Sequence, residues 1–160
     1  MKHLHSPGRM AYLTSQRKEG CIFCKHSLRE EPLVLFEGAS CALMLNKFPY
    51  NTGHLLVIPY RHISKVEELT PEEWLEMFHF MECSVRALKE AMGAEGFNIG
   101  MNVGKSAGAG VESHLHLHIV PRWSGDTNFA TVVGELRVIP QDVQETKALL
   151  LPCLKKYLEV

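Results

Sequence analysis

Three histidines alternate with apolar residues in the second half of the chain, and this alternation is the strongest constraint on the fold. The stretch reads, from residue 114, His114, Leu115, His116, Leu117, His118 and Ile119. Side chains at positions i and i+2 of a β-strand lie on the same face of the sheet. The pattern therefore predicts a strand that buries its apolar side chains on one face and presents three imidazoles on the other.

The elements around this strand predict an α+β fold. Thr70, Pro71 and Glu73 form a helix start with a capping box, and Gly93 follows as a stop signal. The helix predicted over 70–92 has a core-facing stripe made of Trp74, Met77, Met81, Val85, Leu88 and Met92. Strands are predicted over 33–37, 40–46, 54–59, 96–103 and 115–121, with more strand over 129–139. A C-terminal helix is predicted over 141–158, where Pro152 should kink or break it.

Because the strands group around one long helix instead of alternating with several, we expect a mostly antiparallel sheet of about five strands. The 160 residues predict a single domain over 21–160, preceded by an N-terminal arm over 1–20. The formal net charge of −1 argues against a protein that holds nucleic acid by a basic face. No apolar run approaches the ~20 residues of a membrane helix, and residues 1–5 lack an apolar signal region. We therefore expect a cytoplasmic protein without membrane contact.

A cluster of imidazoles suits chemistry at phosphorus. A neutral imidazole is a good nucleophile near pH 7 when its other ring nitrogen is held as a donor. Neighbouring imidazoles can protonate the departing oxygen and stabilise charge on the phosphoryl group. Metal binding is the alternative, because a His-x-His pair on a strand can direct two nitrogens to one ion. A catalytic zinc hydrolase built in this way would have no nearby acidic ligand or base except Glu112.

A glycine-rich segment at 104–110 precedes the histidines. Its small residues allow backbone N–H groups to close around an anion, and the other interpretation is a surface loop. It is not a P-loop, because Ile99 stands where the first glycine of that motif is required and a strand replaces the helix that should follow. Lys105, Ser106 and Arg122 flank the histidines in sequence, where they could offer donors to a phosphate ion.

Cys21 and Cys24 form a Cys-x-x-Cys pair with three interpretations. A thioredoxin-like redox motif needs a strand before the pair and a helix after it, and the sequence predicts neither. A zinc half-site needs two more ligands, for which His62 and His114 are the best candidates. Two buried apolar cysteines are the third interpretation. The remaining cysteines are predicted core positions: Cys41, Cys83 and Cys153.

The histidine stretch resembles the signature of the histidine triad (HIT) family, in which histidines alternate with hydrophobic residues. Two further blocks in the same order resemble that family, namely Asn46 with residues 51–59 and His62, and residues 98–104. The segments 9–12, 108–114 and 121–129 are similar to the family's bacterial diadenosine tetraphosphate phosphorylase-like branch. The chain departs from many relatives at Ala109 and Gly110, where they have Gln followed by Ser or Thr.

The resemblance implies a nucleotide-cleaving enzyme. His116 would be the nucleophile that forms a nucleotidyl intermediate, and His118 would contact the α-phosphate and the bridging oxygen. A structural zinc ion would be held by Cys21, Cys24, His62 and His114. The nucleotide would be contacted by Asn46 at the ribose, Asn102 at phosphate, Ile22, Phe23 and Met44 around the base, and Gly108, Gly110 and Ser113 before the histidines.

The substrates implied by the resemblance are dinucleoside polyphosphates, with phosphate or water as the acceptor. The alternatives are hydrolysis of AMP-amine adducts and a nucleotide-binding sensor with little turnover. The family also implies a homodimer that pairs through the long helix and a sheet strand. The helix over 70–92 carries apolar residues outside its core stripe, at Leu75, Phe78 and Phe80, and an exposed apolar patch usually marks an interface.

Overall fold

One antiparallel sheet forms the centre of the structure, a computed structural model that describes residues 20–127 and 139–159. Its strands are Val34–Glu37 (β1), Cys41–Leu45 (β2), Leu55–Pro59 (β3), Gly96–Met101 (β4) and Leu117–Arg122 (β5). Their order is β1-β2-β3-β5-β4, and all neighbours are antiparallel. The predicted α+β class is confirmed. The arm predicted over 1–20 and the strand predicted over 129–139 lie, apart from Gly20 and Ile139, outside the described residues.

The helices within the described residues are Lys25–Leu28 (α1), Pro71–Met92 (α2) and Val143–Leu158 (α3). The predicted start of α2 is confirmed, because Thr70 and Glu73 exchange side-chain to backbone hydrogen bonds as a capping box. Gly93 ends this helix in the left-handed conformation, with φ of 62°. The helix packs across β2, β3 and β5, and α3 packs against α2. None of the described helices is long and apolar enough to cross a membrane.

The buried side of α2 differs from the predicted stripe. Trp74 is 42% exposed, so its assignment to the core is wrong. Phe80 is 2% exposed and packs edge-on against Phe36, so its place outside the core stripe is also wrong. The buried set is Glu73, Met77, Phe80, Cys83, Ser84, Ala87 and Leu88. The reason is that both the sheet and α3 cover this helix, so the arc of buried positions is broader than one stripe.

The predicted break at Pro152 is wrong, because α3 runs through this residue without interruption. Asp142 caps the helix by accepting a hydrogen bond from the Gln144 amide, so the helix begins at Val143 instead of Gln141. Pro152 lies on the exposed side of α3. There the carbonyl group that a proline deprives of its helical partner can be hydrated.

The histidine-bearing strand begins later than predicted. Its paired region starts at Leu117, so His114 and His116 precede it, and β4 ends at Met101 instead of residue 103. Residues 114–121 are nevertheless all buried. The segment before β5 is held by the Leu115 amide, which donates to the Ile63 carbonyl over 2.7 Å. Since β5 lies between β3 and β4, it stands inside the sheet and not at an edge.

The β1–β2 hairpin is tied to α2 through one carboxylate. Glu76 accepts hydrogen bonds from the amides of Ala39 and Ser40, each over 2.7 Å, and from the Ser40 hydroxyl over 2.6 Å. A Cβ atom at Gly38 would lie 2.4 Å from the Glu76 Oε1 atom and 2.7 Å from the Phe80 ring. The turn therefore reaches the helix only because residue 38 has no side chain.

Candidate active site and metal centre

The three alternating histidines are buried side by side. His114, His116 and His118 are 0%, 6% and 8% exposed. The ring centroids of His116 and His118 are 4.7 Å apart. The ring of Phe23 lies 5.0 Å from that of His116 and 6.0 Å from that of His114. The structure thus brings the imidazoles together, as the alternation predicts.

The orientation of His116 is set by the backbone of His114. The His116 Nδ1 atom lies 2.9 Å from the His114 carbonyl oxygen. A carbonyl oxygen can only accept a hydrogen bond, so Nδ1 carries the hydrogen and the neutral ring has its lone pair on Nε2. Burial lowers the pKa of His116, although the hydrogen bond to this carbonyl opposes the shift. His116 therefore holds a neutral, nucleophilic Nε2 atom near pH 7.

A fourth histidine, His54, completes the group and is not among the predicted site residues. It lies just before β3, is 0% exposed, and places its Nε2 atom 2.9 Å from the Nδ1 atom of His118. The two residues are 64 positions apart and meet because β3 pairs with β5. The available sequence signal is weak: a histidine at the start of an apolar strand.

Hydrogen bonds also fix the tautomers of His54 and His118. The Tyr50 amide donates to His54 Nδ1 over 3.0 Å, so this nitrogen is an acceptor and the His54 hydrogen is on Nε2. That hydrogen is donated to His118 Nδ1, which leaves the hydrogen of neutral His118 on its own Nε2 atom. The His118 Nε2 atom is buried and has no partner among the described residues. It therefore presents an N–H donor to an oxygen atom of a bound molecule.

Burial keeps this pair of rings neutral. It lowers the pKa of His54 to about 3, and the positive charges of His118 and His116, when protonated, would lower it further. It lowers the pKa of His118 to about 4, with His116 acting in the same direction. Near pH 7 the donor on His118 is therefore a neutral N–H group and not an imidazolium.

Asn46 supports the same arrangement. Its Nδ2 atom lies 3.2 Å from His54 Nδ1, and its Oδ1 atom accepts a hydrogen bond from the Phe48 amide over 2.9 Å. The ribose contact implied for Asn46 would therefore share the side-chain amide with His54.

A second cluster lies beside the histidines, formed by Cys21, Cys24, His62 and His114. The four ligand atoms lie within 4.8 Å of one another. Cys21 Sγ is 3.3 Å from His114 Nδ1, and Cys24 Sγ is 3.4 Å from His62 Nδ1. A tetrahedral zinc ion, with sulfur at ~2.3 Å and nitrogen at ~2.0 Å, would separate its ligand atoms by roughly 3.3–3.8 Å. The two shortest sulfur–nitrogen distances match this spacing, other pairs are wider, and the chemistry of the donors fits zinc.

His114 connects the two clusters. Its Nε2 atom donates to the Pro59 carbonyl over 2.8 Å, so its Nδ1 lone pair faces the cysteine sulfur atoms. Its backbone carbonyl accepts the hydrogen bond from His116. One residue therefore offers a metal ligand with its ring and orients the nucleophilic ring with its backbone.

The geometry favours the metal half-site among the three interpretations of the cysteine pair. The expectation that no helix follows the pair is wrong, because the one-turn helix α1 begins at Lys25. Redox cysteines need a lowered pKa, whereas burial raises the pKa of the Cys24 thiol. Of the predicted core cysteines, Cys41 and Cys83 are buried and Cys153 is half-buried.

The residues expected to surround a nucleotide have different environments. Phe23 and Met44 are buried, whereas Ile22 is 56% exposed. Asn102 is half-buried and Ser113 is exposed. Of this set, Phe23 packs its ring against that of His116.

The glycine-rich loop offers fewer amides to an anion than its composition predicts. The amides of Ala107 and Ala109 donate to the Gly104 carbonyl, and the Gly108 amide donates to the Lys105 carbonyl. Gly104 and Gly108 have φ of 80° and 83°, which favours glycine at both positions. Gly108 and Gly110 are exposed.

Arg122, expected as a possible phosphate donor, forms hydrogen bonds within the protein. Its guanidinium group forms two hydrogen bonds of 2.7 Å with the Asp126 carboxylate and one of 2.9 Å with Asn98 Oδ1. Asn51 donates to the same carboxylate over 2.9 Å. These contacts fix the turn that follows β5.

Comparison with known protein families shows to which family the chain belongs. The HIT domain family model matches residues 29–125. The chain belongs to the HIT domain family. The resemblance read from the three sequence blocks is thereby confirmed.

Named relatives within the HIT family have different activities. The chain is 46% identical over 121 residues to the AP-4-A phosphorylase of Mycobacterium tuberculosis, covering 76% of this chain and 62% of the relative. The chain thus spans about three fifths of that relative's length. It is 36% identical over 125 residues to the adenosine 5'-monophosphoramidase of Schizosaccharomyces pombe, covering 78% of this chain and 90% of the relative.

A solved HIT structure shows the same fold. A zinc-bound histidine triad family protein from Mycobacterium smegmatis superposes with a TM-score of 0.70 at 33% identity. The match covers 85% of this chain and 94% of that protein.

Proposed function

We propose that this HIT protein is an enzyme that cleaves a phosphoanhydride bond of dinucleoside polyphosphates such as diadenosine tetraphosphate. The observation that carries the proposal is the pairing of two rings of opposite capability, 4.7 Å apart. His116 Nε2 offers a lone pair, and His118 Nε2 offers a hydrogen. A phosphoryl group accepts both, because its phosphorus takes a nucleophile and its oxygens take hydrogen bonds. The similarity to a phosphorylase of this substrate supports the substrate class.

In the first step, His116 Nε2 attacks the α-phosphorus of the substrate. A nitrogen–phosphorus bond forms and the bond to the bridging oxygen breaks, so the electron pair leaves with ATP. His118 donates its Nε2 hydrogen to an oxygen of the reacting group, where negative charge increases. The His116 Nδ1 group continues to donate its hydrogen bond to the His114 carbonyl, which stabilises the charged ring that the reaction produces.

In the second step, an acceptor oxygen attacks the same phosphorus and the electron pair returns to His116 Nε2. Inorganic phosphate as the acceptor yields ADP, and water yields AMP; in both cases the proton of the attacking oxygen is released to solvent. We propose phosphate, supported by the named phosphorylase relative. Lys105 and Ser106 are exposed and could donate to the phosphate ion, whereas Arg122 is engaged with Asp126.

The remaining site roles are part of the same proposal. The base would be contacted by Phe23, Met44 and Ile22. The contact of Phe23 with the His116 ring supports its role. Asn46 would contact the ribose and Asn102 the phosphate. The loop contacts would come from Gly108, Gly110 and Ser113.

We further propose that the Cys21, Cys24, His62 and His114 cluster holds one zinc ion with a structural role. A closed set of two sulfur and two nitrogen ligands leaves no position for substrate. The zinc-bound HIT structure that resembles this chain supports the choice of metal. The ion would hold Cys21, Cys24 and the intervening Phe23 against the histidine rings.

The homodimer is also a proposal. Trp74, Leu75 and Phe78 form an apolar patch on α2 and are 42%, 72% and 59% exposed. Side chains of this kind favour an interface over solvent. The patch lies on the long helix through which the family resemblance implies pairing.

The experiment that tests the activity supplies diadenosine tetraphosphate with and without inorganic phosphate. We expect ADP and ATP when phosphate is present. AMP and ATP in both arms would show hydrolysis and contradict the choice of acceptor. Absence of turnover, with nucleotide binding retained, would contradict the enzyme and favour a nucleotide sensor.

The nucleophile is tested by substitution. We expect His116→Ala to lower kcat by at least about 10²-fold, because the covalent route is lost, while nucleotide binding persists. Quenching in denaturant at alkaline pH should trap labelled AMP on the wild type and not on His116→Ala. His79→Ala, which changes an exposed histidine on α2, is the matched control and should retain the adduct. Activity of His116→Ala within tenfold of the wild type would contradict the assignment.

The second candidate is hydrolysis of AMP-amine adducts, favoured by similarity to the monophosphoramidase, which the chain spans almost completely. Both reactions pass through the same adenylylated histidine. Comparing kcat/KM for diadenosine tetraphosphate and an AMP-amine adduct decides between them.

A further inference from the structure

One aromatic side chain covers the His54–His118 pair. The Tyr50 ring lies 5.5 Å from the His118 ring, with 21° between their planes, and 4.6 Å from the His54 ring, with 43° between their planes. The reaction steps proposed for this site do not use this side chain. It follows β2 in the loop that leads to His54.

The exposed fractions of the three side chains indicate that Tyr50 shields both imidazoles from solvent. Tyr50 is 45% exposed, whereas His54 is 0% and His118 is 8% exposed. One part of Tyr50 therefore meets solvent while its ring packs on both imidazoles. This contact contributes to the burial that keeps both imidazoles neutral.

The backbone of the same residue acts on the same pair. The Tyr50 amide donates to His54 Nδ1 over 3.0 Å, and the side-chain amide of Asn46 lies 3.2 Å from the same nitrogen. These donors determine where both imidazole hydrogens lie. If a water molecule reached His118 Nδ1, it would compete with His54 and the alternative tautomer, with hydrogen on Nδ1, would become populated. In that tautomer, His118 Nε2 has a lone pair and repels the phosphoryl oxygens that it should bind.

We propose that Tyr50 is a positioning residue for the reaction proposed above: its ring and its amide together hold His54 and His118 in the tautomers that present the His118 Nε2 hydrogen to substrate. The ring excludes water from the His54–His118 hydrogen bond, and the amide fixes its direction. Tyr50 acts through His118 and not on the reacting atoms. The hydroxyl group has no part in this role, so the phenyl ring of phenylalanine should suffice.

The test compares Tyr50→Leu, Tyr50→Phe and the wild type by steady-state kinetics with diadenosine tetraphosphate. We expect Tyr50→Leu to lower kcat roughly tenfold or more, a part of the contribution of a positioned proton donor, while KM changes less than about threefold. Tyr50→Phe should retain kcat within about threefold. Phe48→Leu, which removes a similarly exposed aromatic ring two residues earlier, is the matched control and should also retain it.

The tautomer itself is measured by nitrogen NMR on histidine-labelled protein, with the His118 signals identified by their loss in His118→Gln. We expect the Nε2–H form in the wild type and Tyr50→Phe, and a mixture of tautomers in Tyr50→Leu. A His118 tautomer unchanged in Tyr50→Leu would overturn the proposal whatever the kinetics. If Tyr50→Leu does not fold, Tyr50→Met keeps an apolar side chain of similar length without the ring and takes its place.

The two proposals fail separately. A wild type that does not turn over diadenosine tetraphosphate contradicts the proposed function, and the tautomer measurement then decides the role of Tyr50 alone. Unchanged kcat in a Tyr50→Leu variant of an active enzyme overturns the role of Tyr50 and leaves the proposed function in place.

Discussion

Hydrogen bonds to backbone groups determine which ring nitrogens of His116 and His118 carry a hydrogen. The His114 carbonyl sets the lone pair of His116, and the Tyr50 amide sets the hydrogen of His118 through His54. Both backbone groups belong to residues close in sequence to the rings that they contact directly, His116 and His54. The two rings therefore differ in which nitrogen carries the hydrogen, although they have the same chemical structure and are two residues apart in sequence.

The buried His54 makes stability depend on pH. Its pKa is about 3 in the folded protein and about 6.5 in an unfolded chain, so between these values the unfolded state binds more protons. Stability is therefore complete above pH 6.5 and is lost as pH falls toward 3. From pH 6.5 to 4.5 this one group accounts for up to about 2–3 kcal/mol.

We expect the melting temperature of the wild type to fall across this range and that of His54→Gln to fall less steeply. Thermal unfolding monitored by circular dichroism at intervals of half a pH unit measures the difference. His79→Gln, at an exposed position, is the control and should follow the wild type. Parallel curves for His54→Gln and the wild type would contradict the buried, neutral state of His54.

Alternation alone identifies three of the four histidines, because a period of two is a property of the strand itself. His54 cannot be found in this way, since its contact with His118 depends on the pairing of β3 with β5. The roles of His116 and His118 likewise cannot be separated by sequence pattern, because each depends on which nitrogen meets a neighbouring backbone or ring atom.

Strands and helices of this fold are held together by close polar contacts as well as by packing of apolar faces. The β1–β2 turn lies against α2, with Glu76 receiving the two amides and the hydroxyl of Ala39 and Ser40. Burial alone would raise the pKa of Glu76, but these donors hold it below its usual range. The carboxylate is therefore charged when it holds the turn.

Gly38 tests this contact. We expect Gly38→Ala to destabilise the fold by about 1–3 kcal/mol, because its Cβ atom would overlap the Glu76 carboxylate and the Phe80 ring. Urea unfolding measures the change. Gly96→Ala is the control, since the nearest atom to its new Cβ would be 3.9 Å away. Equal midpoints for the two variants would show that the turn moves away without cost.

Helix α2 shows which features of a helix can be predicted from its own sequence. Its caps are predictable because Thr70, Glu73 and Gly93 act on their own neighbours. Its buried face is less predictable from sequence. Helix α3 packs on it from a distant part of the chain and buries positions that the sheet alone would not cover. Pro152 is compatible with α3 for a similar reason, since its exposed position is a tertiary property.

At the scale of the molecule, the cluster proposed to bind zinc brings together separate parts of the chain. Cys21 and Cys24 precede the sheet, His62 follows β3 and His114 precedes β5. An ion held by all four would close the ends of these segments together. Binding of such an ion contributes directly to the free energy of unfolding.

We expect the purified wild type to contain about one zinc ion per chain and Cys24→Ser to lose it. A loss of about 3 kcal/mol would lower the melting temperature of a domain of this size by ~6–12 °C. Elemental analysis and thermal unfolding measure the two effects. Cys153→Ser changes a half-buried cysteine outside the cluster and should retain the metal. Wild type purified without chelator and free of zinc would contradict the site.

The proposed dimer is tested by molar mass. We expect light scattering to give about twice 18.1 kDa at micromolar concentration for the wild type. Phe78→Glu should shift the protein to monomer, because it places a charge in the apolar patch on α2. Leu149→Glu, at a position on α3 that is 46% exposed, is the control. A wild type of 18.1 kDa would contradict the dimer.

The neutrality of the histidine pair has a consequence for how substrate is captured from solution. Salt screens attraction between separated charges, but it has little effect on aligned N–H dipoles at contact distance. His54 and His118 carry no charge near pH 7, and the whole chain has a formal net charge of −1. We therefore expect the protein to exert little long-range attraction on the proposed polyphosphate substrate and to bind it through short directional contacts. Ionic strength should consequently have little influence on how well it recognises a highly charged nucleotide.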